Sequence, residues 1–400
     1  MQTTATITRE DITRRRMVNQ QVSAAGFMRP ESLVAWLGCV QAQDFAAAKW
    51  AVGSRLKGGA GGHLKGGSEE PWTDAGIQQA FNEGKILRTH ILRPTWHFVA
   101  PADIRWMLAL TAPRIKAFCA GMHRQLELDQ AVFKRCNATL QKALAGGGQL
   151  TRKELLPVFQ RARIRTDELR LAHLLMQAEL DGIICSGAMN GKQFTYALMD
   201  ERAPRGKLLQ PEEAVAELVL RYFKSRGPAT LADFAWWSGL TIADGKKGVE
   251  ALRSQFINEV VDGQSYWIHS GPSWPDQPVF GFRKGPGSFS STVSLTSASN
   301  SDQPTLHVLP AFDEYTVAYK DRDLVLSPKH AVRSGNGIFK PILLCVGQIA
   351  GTWQRTIQKD HIAVTIDLFR PLARKPVKAA FTGYAAFMEK PVVCHFGKEI

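Results

Sequence analysis

The spacing of apolar residues along the chain changes near residue 304. Before that point, stretches with apolar residues at helical spacing are followed by short hairpin-like segments. After it, short alternating segments are separated by turn residues. The pattern predicts an α+β protein with a helix-rich N-terminal part and a separate C-terminal β-domain.

Residues 131–208 form the clearest unit of the helix-rich part. An amphipathic stretch over 133–145 ends at three glycines, and a second helix begins at Thr151, where Glu154 completes a capping box. A third helix fits 166–180 and stops at a glycine. Two short strands then flank an Asn-Gly turn, which is typical of a hairpin.

The same order returns in residues 209–270. Helices are predicted over 211–225, 231–237 and 241–256, and a hairpin turns at Asp262-Gly263. Helix, helix, helix, hairpin is the winged-helix order, in which the third helix can enter a DNA groove and the hairpin can contact the backbone. Use of such units only for protein contacts is the alternative.

Residues 1–130 fit a more elaborate first copy, so three tandem winged-helix repeats are predicted. Its helices fall at 12–25, 30–37, 45–56 and 74–82, and a long helix follows residue 101. A connection rich in Gly, Pro and Ser is expected over 271–303. Residues 304–400 then predict a small antiparallel sheet or barrel, with strands in LHVLPAF, YTVAY, DLVLS, KPILLCVG, QIAGTW and HIAVTIDLF.

Composition and charge limit the classes of partner, cofactor and cellular location that the chain is expected to have. The formal net charge of +14 favours a polyanion, with nucleic acid first and an anionic membrane surface second. Six scattered cysteines, none in a C-x-x-C pair, give neither a metal signature nor a disulfide framework, and no cofactor is predicted. No signal peptide or membrane span is expected, so the chain is predicted to be cytoplasmic.

Basic residues concentrate in the second and third units. Side chains of this kind neutralise phosphates and position a protein on DNA without reading its sequence. The residues predicted to bind DNA are Arg152, Lys153, Arg163, Arg165, Arg170, Lys246 and Lys247.

Four separated strings carry a family resemblance: WLGCVQAQD at 36–44, RTHILRPTWHFV at 88–99, VLPAFDEYTVAYKDRD at 308–323 and GQIAGTW at 347–353. They resemble the bacterial winged-helix DNA-binding proteins that include the AlkZ-type DNA glycosylases, relatives of YcaQ. The resemblance implies tandem winged helices around DNA, action on alkylated bases and, in some members, on interstrand crosslinks. It also implies a Gln-aliphatic-Gln catalytic motif, here Gln41-Ala42-Gln43.

The chemistry of two amides limits the substrate. A glutamine is not a base at neutral pH, but its carbonyl can orient a water, and its dipole can face a developing positive sugar. Such modest help suits cationic N7- or N3-alkylpurines, which leave readily. If both glutamines act on one sugar they must share a face, as residues two apart do in extended chain, so a break in helical structure is predicted at 41–43, with Asp44 capping the next helix. The alternative is that the two glutamines are buried amides that satisfy the backbone at this break.

Two further clusters are candidates. Arg93, Thr95 and His97 could support the site: His97 would contact a phosphate or the sugar, or else be a core histidine, and both readings stay open. Asp313 and Glu314 would be repelled by DNA, so a structural role is expected for this acidic pair, with Arg322 or Lys320 as partner, and a catalytic carboxylate is the alternative.

The sequence therefore predicts a monofunctional DNA glycosylase that acts as a monomer on damaged double-stranded DNA. A non-catalytic binder such as a transcriptional regulator is the first alternative. Regulators of that kind usually carry one winged helix per chain and dimerise on a two-fold operator, whereas several units lie in this chain. A protein-interaction scaffold is the second.

Overall fold

The computed structural model of the chain describes residues 7–58, 71–167, 169–203, 205–206, 208–271 and 305–397. It is a mixed α+β fold, as predicted. Nearly all of the connection predicted at 271–303 lies outside the described residues, as does the glycine-rich stretch at 59–70. Among the residues that are described, no helix is both long and apolar enough to cross a bilayer.

In the N-terminal part, one short strand lies between helices, and a two-stranded hairpin precedes the long last helix. Its strands run antiparallel in the order β1–β3–β2. The first predicted helix proved shorter and begins earlier, because Thr8 and Asp11 form a capping box at its start. The elements are α1 (Arg9–Asn19), α2 (Pro30–Leu37), β1 (Cys39–Gln41), α3 (Phe45–Gly53), α4 (Asp74–Asn82), β2 (Leu87–His90), β3 (Trp96–Val99) and α5 (Ile104–Gln125).

The second unit repeats this order. Its strands lie in the order β4–β6–β5, and the predicted capping box of Thr151 and Glu154 starts its second helix. The hairpin turns at Asn190 and Gly191, as expected. The elements are α6 (Gln130–Leu144), β4 (Leu150–Thr151), α7 (Arg152–Arg161), α8 (Arg170–Leu180), β5 (Ile184–Ser186), β6 (Thr195–Leu198) and α9 (Met199–Arg202).

The third unit keeps the order with a single bridge in place of the first strand. Ala229 pairs with Trp267, and Thr230 with Asp233 forms the capping box of the next helix. The hairpin turns at Asp262 and Gly263, both at positive φ as such a two-residue turn requires. The elements are α10 (Pro211–Arg226), α11 (Leu231–Ser238), α12 (Ile242–Ala251), β7 (Phe256–Val261) and β8 (Gln264–His269).

The C-terminal part is an open sheet rather than a barrel. Its strands lie in the order β9–β10–β11–β12–β13, and within the described residues the two end strands do not pair with each other. The last pair, β12 with β13, is parallel, which corrects the prediction of a purely antiparallel sheet. The elements are β9 (Leu306–Leu309), α13 (Glu314–Val317), α14 (Ala331–Ser334), β10 (Ile342–Cys345), β11 (Gln348–Ile357), β12 (Ile362–Leu368), α15 (Arg374–Ala379), α16 (Thr382–Phe387) and β13 (Val392–Phe396).

One predicted strand is helical. In the segment YTVAY, Asp313 caps α13 by accepting from the Tyr315 backbone N–H (2.9 Å). Tyr315 and Tyr319 are four residues apart and both fully buried. Residues at this spacing share a face both in a helix and in a strand, so the burial pattern alone fits either structure. The cap decides between the two.

The hydrophobic cores cross the boundaries between the predicted units. One continuous core combines Val99 of the N-terminal part, Leu180 of the second unit, Trp237 of the third and Tyr319 of the C-terminal part. A second core joins α3 to the C-terminal sheet through Trp50, which packs on Tyr384 and Phe387. The units therefore support one another, and β1 lies where these two cores meet.

Candidate active site

The two glutamines of the Gln-Ala-Gln motif lie where β1 ends and before α3 begins. The predicted break in helical structure is present there: Gln41 is the last residue of the strand, and the helix starts at Phe45. Asp44 caps that helix, because its carboxylate accepts the Ala47 backbone N–H (3.0 Å). The structural role expected for Asp44 is confirmed.

A chain of amide hydrogen bonds orders this connection. The Gln41 side-chain carbonyl accepts the Gln43 backbone N–H (3.0 Å), and the Gln43 side-chain carbonyl accepts the Trp96 backbone N–H (3.4 Å). Gln41 is buried, whereas Gln43 is exposed. The first amide is thus committed to holding the loop, and the second stands at the surface with a long bond that an incoming group can replace.

A buried ion pair holds β1 from behind. The Glu314 carboxylate accepts the Gln41 backbone N–H (2.9 Å) through one oxygen and the Arg226 guanidinium (2.5 Å) and Trp237 indole N–H (3.2 Å) through the other. Arg226 also donates to the carbonyl of Cys39 (3.0 Å). Both charged side chains are at most 1% exposed, so this end of β1 has little freedom to move.

The acidic pair is structural, as predicted, but its predicted partners were wrong. Neither Arg322 nor Lys320 pairs with it: Asp313 binds Arg55 through both oxygens (2.6 and 2.8 Å), and Glu314 binds Arg226. Both partners are distant in sequence: Arg55 follows α3, and Arg226 is the last residue of α10.

His97 lies beside Gln41 in the sheet and is a core residue. The register aligns Gln41, His97 and Thr89 in one row across β1, β3 and β2. The His97 ring is fully buried, and its Nδ1–H donates to the Thr95 carbonyl (2.9 Å). Burial, reinforced by the nearby Arg93 charge, lowers the pKa of His97 to about 3, so the ring is neutral. The buried, neutral ring favours the core reading over contact with a phosphate, and a role in positioning the sugar stays a prediction.

The other two members of that cluster carry unmet hydrogen-bonding capacity. Nε of Arg93 and Oγ1 of Thr95 are buried, with no hydrogen-bond partner among the described residues, and so is Nε2 of His97. Burial also lowers the pKa of Arg93. Three such atoms in five residues next to Gln41 are unusual for a packed core, and the support role predicted for Arg93 and Thr95 stays a prediction.

Arg88 is a site residue that the sequence reasoning missed. Its Nε donates to the carbonyl of Ala42 (3.0 Å), inside the Gln-Ala-Gln motif, and its guanidinium lies 4.4 Å from both the Trp96 and Phe194 ring centres. Burial lowers its pKa to about 10, which still leaves it charged at neutral pH. Its place in the string RTHILRPTWHFV was the only signal available.

A pocket of about 310 Å³ opens beside Trp96, between the N-terminal part and the second unit. Its walls include Trp96, Phe118 and Tyr196, together with His90, whose Nδ1 is bonded to the buried Glu179. Arg152 also lines it. A larger cavity of about 770 Å³ is lined by arginines and aspartates in mixture and contains none of the residues predicted for chemistry.

The residues predicted to bind DNA divide into two groups. Exposed side chains are found at Arg152 and Lys153 at the start of α7, at Arg163 after it, and at Lys246 and Lys247 on α12. Arg165 is exposed but paired with Asp167 (2.9 Å) and Glu127 (3.0 Å). Arg170 is buried, and its guanidinium donates to the carbonyls of Leu126 and Glu127. Its location contradicts a role on a DNA surface.

The third helix of the second unit is not free to enter a groove. No residue of α8 is exposed, because the helix packs against α5 and α6 and also contacts β2. In the third unit, by contrast, α12 presents Lys246 and Lys247 to solvent. Only the latter helix fits the groove-entering role that the sequence pattern suggested for both.

The chain belongs to the AlkZ-like DNA glycosylase family, whose family model matches residues 34–389. It is 26% identical over 317 residues to an interstrand DNA cross-link repair glycosylase of Streptomyces sahachiroi, covering 74% of this chain and 76% of that protein.

The fold agrees with this assignment. The structure is similar to that of the DNA glycosylase AlkZ from Streptomyces sahachiroi, with a TM-score of 0.71 over 98% of this chain and 100% of the other, at 19% identity. The similarity extends across the whole chain, so the C-terminal sheet is part of the shared fold.

Proposed function

We propose that this DNA glycosylase hydrolyses the N-glycosidic bond of cationic N7- or N3-alkylpurines, with Gln43 as the catalytic residue and Gln41 as the residue that positions it. The observation that carries the proposal is the contrast between the two amides. Gln41 is buried and bonded within the loop, whereas Gln43 is exposed and rests on one long hydrogen bond.

The proposed chemistry follows from what an amide can do. The Gln43 carbonyl accepts a hydrogen bond from a water and aims the water's oxygen at the anomeric carbon, while its dipole faces the positive charge that develops on the sugar. The bond from sugar to base breaks, the water's oxygen bonds to the anomeric carbon, and the proton that the water loses passes to solvent. No group here needs to protonate the leaving base, because an alkylpurine cation leaves as a neutral molecule. A neutral base such as uracil lacks this advantage and should be released poorly.

We propose that residues 131–208 and 209–270 act as winged helices and that residues 1–130 act as a more elaborate first copy. We also propose that one chain works alone on damaged duplex DNA in the nucleoid. The exposed residues Arg152, Lys153, Arg163, Lys246 and Lys247 would contact phosphates. Relatives include a cross-link repair glycosylase, so unhooking of interstrand crosslinks belongs to the same proposal.

The test is single-turnover base release from a duplex containing one N7-methylguanine. Gln43→Ala should lower the rate about 100-fold or more, as removal of a preorganised transition-state dipole does elsewhere. Gln79→Ala, which alters an exposed glutamine on α4, is the control and should leave the rate unchanged. A wild-type rate for Gln43→Ala would contradict the catalytic assignment. Absence of release by the wild type, together with a sequence-specific footprint on undamaged DNA, would favour a regulator.

A further inference from the structure

Three side chains with metal-binding donors meet between α5 and α8. Cys119 and His123 are four residues apart on α5, so they share one face of that helix, and His173 reaches them from α8. Their donor atoms all lie within 4.8 Å of one another. The sequence showed no metal-ligand spacing because the third residue follows 50 positions after the second.

The two imidazoles lack the hydrogen bonds that buried histidines normally make. Nε2 of His123 and Nδ1 of His173 are buried and have no hydrogen-bond partner in the described part of the chain. The rings meet edge to face at 5.1 Å, and His123 packs in the same way on Phe133.

We propose that Cys119, His123 and His173 bind a Zn²⁺ ion. One thiolate and two imidazoles are a donor set that zinc takes in tetrahedral geometry, with ligand atoms about 2.0–2.3 Å from the metal and about 3.5 Å from each other. Small side-chain rotations would draw the present cluster to that size. On binding, the Cys119 thiol transfers its proton to solvent and the sulfur coordinates as thiolate.

The location suggests what the ion does. Cys119 and His173 line the 310 Å³ pocket together with Trp96 and Arg152. The metal would therefore join a helix of the N-terminal part to a helix of the second unit at the wall of this pocket. Three protein ligands leave a fourth position for water on the pocket side. By joining the two helices, the metal would fix the separation of Trp96 and Arg152. This inference does not depend on the proposed glycosylase reaction.

The experiment uses the full-length protein stripped with a chelator and titrated with Co²⁺, a spectroscopic substitute for Zn²⁺. The expected result is one equivalent bound, with a thiolate-to-cobalt charge-transfer band and the visible bands of a tetrahedral site. Cys119→Ser should abolish the charge-transfer band and weaken Zn²⁺ retention at least about 10-fold. Cys136→Ser, which alters another buried cysteine outside the cluster, is the matched control and should keep both.

The thermal unfolding temperature supplies a second readout. Zn²⁺ should raise it for the wild type and Cys136→Ser but not for Cys119→Ser, since a ligand that binds the folded state stabilises it. If Cys119→Ser fails to fold, His173→Gln replaces it, because that ring is only half-buried. Absence of the cobalt bands and of retained zinc in the wild type would overturn the proposal, as would equal retention by Cys119→Ser.

Discussion

Two buried ion pairs test whether the position of β1 matters for base release, because only one of them is bonded to that strand. Arg55–Asp313 and Arg226–Glu314 are each at most 1% exposed, and the two carboxylates are neighbours in sequence. Only Glu314 also accepts the Gln41 backbone N–H. We therefore compare Glu314→Gln with Asp313→Asn, two substitutions that remove a charge and keep the shape of the side chain.

Both substitutions should destabilise the protein strongly. Each leaves a buried arginine without its counter-charge, which costs about 3–5 kcal/mol, against a typical total stability of about 5–15 kcal/mol. In Glu314→Gln the new amide group must also face donors whichever way it turns: Arg226 and Trp237 on one side, or the Gln41 N–H on the other. Its orientation therefore cannot satisfy all its neighbours.

The assay combines unfolding in urea, followed by tryptophan fluorescence, with single-turnover base release at a temperature where both variants are folded. Both variants should unfold at lower urea concentration than the wild type. Only Glu314→Gln should lose base release per folded molecule, by about 10-fold or more, because β1 and Gln43 shift together. Wild-type stability of Glu314→Gln, or equal loss of activity in the two variants, would refute the reasoning.

Three further outcomes are expected. His97→Gln should flatten the pH dependence of the unfolding free energy. Because the pKa of His97 is lowered to about 3 in the folded protein, the unfolded chain takes up a proton first, and the wild type loses up to about 1.4 kcal/mol of unfolding free energy per pH unit as the pH falls from about 6.5 towards 3. Urea titrations at pH 7 and pH 5 measure the difference. Gly38→Ala should cost about 1–3 kcal/mol of unfolding free energy, because Gly38 has φ +74°, a backbone conformation that residues with a side chain rarely adopt; an unchanged urea midpoint would contradict this. Arg152→Ala with Lys153→Ala should weaken DNA binding equally for all sequences and reduce the slope of log affinity against log salt by about two, which fluorescence anisotropy at several salt concentrations would show.

Local signals made much of the fold predictable. The capping residues Thr151 and Thr230 each mark the start of a helix, and the Asn190-Gly191 turn marks a hairpin, because their effects act within a few residues. The break at the Gln-Ala-Gln motif followed from strand geometry together with the catalytic role that the family resemblance implies for both glutamines. The segment YTVAY was mistaken for a strand because alternation and helical spacing both fit five residues when two tyrosines and a valine are buried.

The remaining features depend on contacts between distant parts of the chain. Asp313 pairs with Arg55, 258 residues away, and no local pattern indicates such a partner. Arg170 looks like its basic neighbours in the sequence, but its side chain turns inward to satisfy carbonyls at the end of α5. The cluster of Cys119, His123 and His173 likewise exists only once α8 packs against α5.

The catalytic role proposed for Gln43 agrees with the position of the Gln-Ala-Gln motif within the repeated order of elements. In the second and third units, the residue that caps the next helix lies at the end of the first strand or directly after the bridge that replaces it: Thr151 ends β4, and Thr230 follows Ala229. In the N-terminal part, the strand ends at Gln41, and the cap is Asp44.

Two residues, Ala42 and Gln43, are thus inserted between strand and cap. Because Asp44 starts the helix and Glu314 fixes the strand, neither glutamine side chain is needed to begin the helix. One of them can then order the loop while the other remains exposed. Shortening this connection to a single threonine, as in the other units, should therefore preserve DNA binding and abolish base release, and a shortened variant that still released base would show that the catalytic group lies elsewhere.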